Sequence, residues 1–169
     1  VSVHRPHPFE LCKVSLRERN RNDDTGVIFS DIRFNPDGPA LAWQLLLERP
    51  AEANISHSVL PTPEEHAKFV ANHPYRIWLA IDVDGVSVGA IYLSMRNEIG
   101  IAILEKHRRK GYASEAIESI LNSYPPLPGE PGMRNRWYIA NVSQNNVKSM
   151  KLFASLGAKL LNVTYQFGG

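Results

Sequence analysis

A mixed α/β domain is the fold class that the sequence predicts, and three observations carry it. Two alternating segments, 76–82 and 86–94, flank Val83, Asp84 and Gly85, which is a hairpin signature. From Gly111 the apolar period changes from two to 3.6, with Ala113, Ala116, Ile117, Ile120 and Leu121 on one side. Thr62 with Pro63 and Glu65 forms a capping box at the head of another helix.

Taken in chain order, "LCKVSLRE" (11–18) alternates and is expected as a strand, and "RNRNDD" (19–24) as a polar loop. "GVIFSDIRF" (26–34) is a second extended segment, closed by the turn "NPDGP". "ALAWQLLLE" (40–48) has the length and composition of a helix. The capped helix from Thr62 is expected to have Ala67, Phe69, Val70 and Ala71 as its apolar side and to end at 72–74. After the hairpin, a polar turn at Arg96 and Asn97 leads into "EIGIAIL" (98–104), a third strand of an antiparallel meander. The helix from Gly111 is followed by "SYPPLPGEPGMRN" (123–135), whose prolines and glycines break both kinds of element. "RWYIA" (136–140) is expected as a strand. Residues 146–158 are expected as a helix capped by Asn146, with Val147, Met150, Phe153 and Leu156 inward and Gly157 as its stop. "KLLNVTYQF" (159–167) is expected as the last strand. The sum is a mostly antiparallel sheet of six to seven strands with about four helices.

The 169 residues suit one domain, and their apolar and charged shares, 43% and 21%, are ordinary for a globular chain. A net charge of +2 argues against a nucleic-acid module driven by overall charge, so an anion site must come from local clustering. One cysteine, Cys12, permits no internal disulfide and supplies no metal set. Without an apolar run near membrane length or a leader-like start, a cytoplasmic protein without membrane, metal or nucleic-acid partners is expected.

Local clustering does occur. His107, Arg108, Arg109 and Lys110 stand between the strand 98–104 and the helix from Gly111. Like charges repel, so such a cluster costs stability unless an anion sits there. A helix N-terminus presents unpaired N–H groups and partial positive charge, and glycine lets a phosphate approach them. Neither a Walker A loop nor G-x-G-x-x-G is present.

Ile103-x-Glu105-x-x-Arg108-x-x-Gly111-x-Ala113 resembles the acetyl-CoA signature of the GCN5-related N-acetyltransferase (GNAT) superfamily, V-x-P-x-x-[RQ]-x-x-G-x-[GA]. Further on, Asn146, Ser149, Leu156 and Gly157 are similar to its N-x-x-S segment ending in L-G-F. The two motifs follow a three-strand meander in the right order, and the resemblance spans about residues 76–160. Glu105 stands where the family usually has proline, and Ala158 where it usually has an aromatic.

The resemblance implies a GNAT-like fold whose sheet splays between 98–104 and 136–141. Acetyl-CoA would be the co-substrate, its acetyl group passing directly to a primary amine. Residues 1–75 would serve the acceptor and 76–169 would hold acetyl-CoA. Ile101 and Ile103 would pair with the pantetheine arm. The amides of Arg108, Arg109, Lys110, Gly111, Tyr112 and Ala113 would wrap the pyrophosphate, with charge from Arg108 and Lys110. Asn146, with Ser149 in its motif, would meet the pantetheine amides near the thioester, although Asn146 also reads as a plain N-cap. Glu98 is the first candidate for general base, with His57 and His66 as alternatives and Glu64 and Glu65 as cap residues. Phe153 stands where the family often has a tyrosine acid, leaving Ser149, Tyr138 or Tyr165, or an unassisted thiolate. Trp43, Trp78 and Tyr92 are candidate lining for the acceptor. A faint resemblance to amino-sugar N-acetyltransferases suggests a small amine, while a protein N-terminus, an inactive acetyl-CoA sensor and a homodimer stay open.

Overall fold

The structure is a computed structural model that describes residues 26–50, 53 and 59–164. The strand expected at 11–18, the loop at 19–24, Cys12, His57 and Tyr165 lie outside the described residues.

The described chain builds a four-stranded antiparallel sheet from β1 (Val27–Asp31), β2 (Ile77–Val83), β3 (Val86–Leu93) and β4 (Ile99–Ile103), in that order. Between β1 and β2 run α1 (Gly38–Leu47) and α2 (Pro63–Asn72), and after β4 come α3 (Tyr112–Ser123) and α4 (Val147–Ser155). The β2–β3 hairpin turns on Asp84 and Gly85, both at positive φ (50° and 77°), the backbone that a two-residue turn matching sheet twist demands. Thr62 caps α2 by accepting from the Glu65 amide (3.2 Å), while the Glu65 carboxylate accepts from the Thr62 amide (2.8 Å). α1 starts two residues earlier than its composition suggested. There Gly38 passes so close to β1 that a Cβ would lie 1.9 Å from the Ile32 carbonyl oxygen.

Helices cover both sides of the sheet. Leu79, Ile81, Ile91, Leu93 and Ile99 pack against Ala116, Ile117 and Ile120 of α3. Trp78, Ala80 and Ala90 pack against Leu41, Ala42 and Leu45 of α1 and Val70 of α2. Residues 92, 98, 100 and 102 alternate onto the α1–α2 side, and 99, 101 and 103 onto the α3 side. The α3 face is as its period predicted for Ala116, Ile117 and Ile120, whereas Leu121 is 37% exposed.

Two expected strands are not strands in the described chain. Residues 136–140 meet β4 only through a parallel bridge between Glu98 and Ile139, because the two segments diverge beyond that point and no ladder can continue. Residues 158–164 carry no regular structure, and Leu160, Leu161 and Val163 are exposed without a ladder partner among the described residues. The divergence is itself the splay expected between 98–104 and 136–141. No helix among the described residues is long and apolar enough to cross a membrane.

Candidate active site

β4 has two unlike edges. The Leu104 amide donates to the Val88 carbonyl (2.9 Å) and the Ser94 amide to the Glu98 carbonyl (2.9 Å), so even-numbered residues turn their backbone toward β3. Odd-numbered residues therefore turn theirs outward, and the Ile99 amide donates to Ile139 (2.8 Å). Past that bridge, Ile101 and Ile103 present main-chain groups to the gap in the sheet. A ligand with amides of its own can extend the sheet there.

At the far end of β4 the chain makes a short 3₁₀ turn, Glu105–His107, then reaches α3 through left-handed backbone at Arg109 (φ 63°) and Gly111 (φ 87°). A Cβ on Gly111 would meet nothing within 4 Å, so the space before the helix is open. The first bond of the helix runs from Glu115 N–H to the Gly111 carbonyl (3.2 Å), which leaves the amides of Tyr112, Ala113 and Ser114 without intrahelical partners. Arg109 and Lys110 are exposed beside them. These residues fit a diphosphate, since an open helix start, a glycine and two cations face the same solvent.

Arg108 does something different from what its place in the motif suggested. Its amide donates to the Glu105 carbonyl (3.2 Å), so the available amides begin at Arg109. Its Nε donates to the Ile103 carbonyl (2.9 Å) and its Nη2 to the Glu48 carbonyl (3.4 Å), two part-buried acceptors that the fold brings within reach. Arg108 thus braces the turn, and the Ile103 carbonyl is occupied. Glu105, where proline would have no donor, uses its amide on the Glu48 carboxylate (2.7 Å). That bond leads the causes holding the Glu48 carboxyl below its ordinary pKa. Sequence reasoning missed Glu48, 57 positions from its partner, and no local signal marks it.

At the opposite end of β4 stands Glu98, half-buried. Its amide donates to Ser94 Oγ (3.1 Å) and its backbone is clamped by the Ile139 bridge. Its side-chain face continues through Gly100 to Ala102, small residues that leave the floor of β4 bare. Tyr92, directly across from Gly100, lays its ring over that glycine, and a Cβ on Gly100 would sit 2.0 Å from the ring. Tyr92 stacks on Tyr75 at 4.0 Å and 11°, and Tyr75 meets Trp78 edge-on at 5.1 Å. Burial, then the neighbouring Tyr92, pushes the Tyr75 phenol up to about 12, and burial followed by the Glu98 charge raises Tyr92. Both phenols stay protonated at neutral pH, close enough to Glu98 for Tyr92 to feel its charge.

The other candidates separate cleanly. Trp78 is 7% exposed and belongs to the core, while Trp43 packs against His66 at 5.2 Å. His66 is buried between helices, and desolvation lowers its pKa. Glu64 and Glu65 stand in the first turn of α2, where Glu65 serves the cap. Asn146 caps α4 by accepting from the Ser149 amide (3.1 Å), which leaves its side-chain N–H groups for a ligand. Phe153 packs against the α3-side core. The Tyr138 hydroxyl donates to the Tyr124 carbonyl (2.5 Å) at the end of α3, so it is committed to structure. Among the described residues no three His, Cys, Asp or Glu side chains converge as a metal site.

Asn97, which the sequence marks only as part of a polar turn, is the hub of this end of the site. Fully buried at 0% exposure, it holds left-handed backbone (φ 60°). Its Nδ2 donates to the carbonyls of Leu127 and Asn135, and its Oδ1 accepts from the Leu127 amide, each at 2.8 Å. Its carbonyl accepts from the Ile139 amide (2.9 Å). One side chain therefore fixes the 124–135 loop against the residue before Glu98.

A profile of the acetyltransferase (GNAT) family matches residues 41–158, well over half of the chain. The chain belongs to that family. No protein of curated function matches it. Among solved structures, an aminoglycoside N-acetyltransferase in complex with CoA is similar at TM-score 0.58 and 16% identity, over 85% of this chain and 93% of the other. The microcin C7 self-immunity acetyltransferase, in complex with acetyl-CoA and AMP, gives 0.55 and 15%, over 83% and 87%. Ribosomal-protein-alanine N-acetyltransferase from Brucella melitensis gives 0.53 and 17%, over 78% and 82%. At these identities the likeness concerns the fold, and it agrees with the GNAT arrangement of meander, gap and basic turn.

Proposed function

We propose that this GNAT protein is an N-acetyltransferase that moves the acetyl group of acetyl-CoA directly to a primary amine. The observation that carries this reading is the outward-facing edge of β4, which joins the open start of α3 at one end to Glu98 at the other. Ile101 and Ile103 then hold the pantetheine arm, the amides of Arg109 to Ala113 with Lys110 hold the diphosphate, and Asn146 with Ser149 lies beside the thioester end.

Acetyl-CoA supplies the electrophile, a thioester carbonyl. Glu98 accepts the proton that the amine must lose to attack. An outward N–H of the Ile101–Ile103 edge faces the oxygen that gains charge. With Phe153 apolar and Tyr138 committed, the sulfur departs as thiolate, a tolerable leaving group near neutral pH. No acyl-enzyme is required, so acetyl passes in one displacement. An amino sugar or similar small amine is the acceptor class favoured here.

The test is thiol release from acetyl-CoA across a panel of amines, with the product checked by mass for one added acetyl group. At least one amine class is expected to raise thiol release about tenfold over the amine-free rate, an effect well within what a positioned base supplies. Tight acetyl-CoA binding with no amine acetylated would replace this reading with that of a sensor.

A further inference from the structure

Beyond Glu98 the site opens into a cavity of about 660 Å³, between the β3–β4 turn and the 129–137 segment. That volume suits a small molecule. Glu98 and Ile139 line it together with three arginines, Arg96, Arg134 and Arg136. The three are not equivalent. Arg134 is fastened to the carbonyls of Pro128 (2.7 Å) and Met95 (3.1 Å) and paired with Glu130, so its charge is neutralised in shaping the loop. Arg96 and Arg136 make no ion pair among the described residues. The Arg136 guanidinium lies 5.5 Å over the ring of Trp137, which is 46% exposed into the same space.

With Glu130 and Arg134 cancelling, the charges left lining the cavity among the described residues are Glu98, Arg96 and Arg136. A plain amine enters as a cation, and two unpaired cations on its path oppose it. An amine that also carries an acid inverts this balance.

We propose that the acceptor carries an acidic group, a carboxylate or a phosphate, held by Arg96 and Arg136 while its amine faces Glu98. The inference rests on the transfer reading above and names the acceptor class for it. Arginine suits both acids because its fork donates two parallel bonds to either oxyanion. The exposed face of Trp137 takes the apolar part between the two ends.

Matched acceptors test this: 2-aminoethyl phosphate against ethanolamine, and 4-aminobutyrate against its amide, each assayed for transfer and titrated calorimetrically with CoA present. In at least one pair the acid is expected to win by about tenfold or more in kcat/KM and in affinity, and which pair responds tells phosphate from carboxylate. In Arg96→Gln/Arg136→Gln the ratio of acid to neutral partner should fall to near one, with acetyl-CoA affinity within about twofold as the check on folding. If an acid binds preferentially but nothing is acetylated, the anion site stands and the transfer reading falls. Neutral partners used as well as the acids, a preference that survives the double variant, or no binding of either acid would overturn the inference.

Discussion

Glu98→Gln is expected to lower kcat by about 10²- to 10⁴-fold, the range that a positioned general base contributes. The substitution keeps the shape of the side chain and removes its negative charge and with it the ability to take a proton. Acetyl-CoA affinity should change little, because the outward groups of Ile101 and Ile103 and the start of α3 lie beyond Glu98 along β4. The backbone there is also insensitive to the change, being set by the Ile139 bridge and the Glu98 amide bond to Ser94 Oγ (3.1 Å). The pH dependence of kcat should change shape with the loss. Turnover within threefold of the parent protein, with the same pH profile, would remove Glu98 from the chemistry.

Asn97→Ala is expected to destabilise the protein by about 3–5 kcal/mol, measured as the shift in urea unfolding. Truncation leaves the Leu127 amide and the Leu127 and Asn135 carbonyls without their 2.8 Å partners in a site with no exposure. Each orphaned group costs about 1–3 kcal/mol, softened where water enters. Left-handed backbone at φ 60° adds strain for alanine, about 1 kcal/mol. Asn97→Gly divides the two causes, since it relieves the backbone while losing the same three side-chain bonds. A loss below about 1 kcal/mol in Asn97→Ala would show that the side chain is not the clamp described here.

The meander, the capped helix and the turn at Gly111 were legible because each rests on local chemistry. Asp84 and Gly85 supply the positive φ of their turn, Thr62 and Glu65 satisfy each other's amides, and Gly111 takes φ 87° at a helix start. The edge strands were harder to read. Residues 136–140 have strand composition, but a strand exists only with a partner, and β4 parts from them after Ile139. Site residues divide in the same way. Glu98 stands at the Ile139 end of β4 and the amides after Arg109 at the other, both next to local signals, a polar turn and a glycine. Arg108 matches the motif letter and bends back to Ile103 and Glu48, a choice set by carbonyls brought near only in the fold. Asn97 and Glu48 act over 30 to 60 positions of chain, which no window of sequence contains. Gly100 hid for a related reason, since its need for a bare α-carbon comes from the Tyr92 ring across the strand.

Calorimetric titration with acetyl-CoA on the parent protein, Gly111→Ala and Gly111→Trp tests most directly the grip of main-chain amides on a diphosphate. Both variants carry the same backbone strain at φ 87°, so only bulk before the helix distinguishes them. The parent protein should bind, Gly111→Ala should follow it closely, and Gly111→Trp should weaken binding by about 100-fold or more, as the loss of two charge-assisted bonds implies. Binding equal in all three proteins, or none in the parent, would contradict the account.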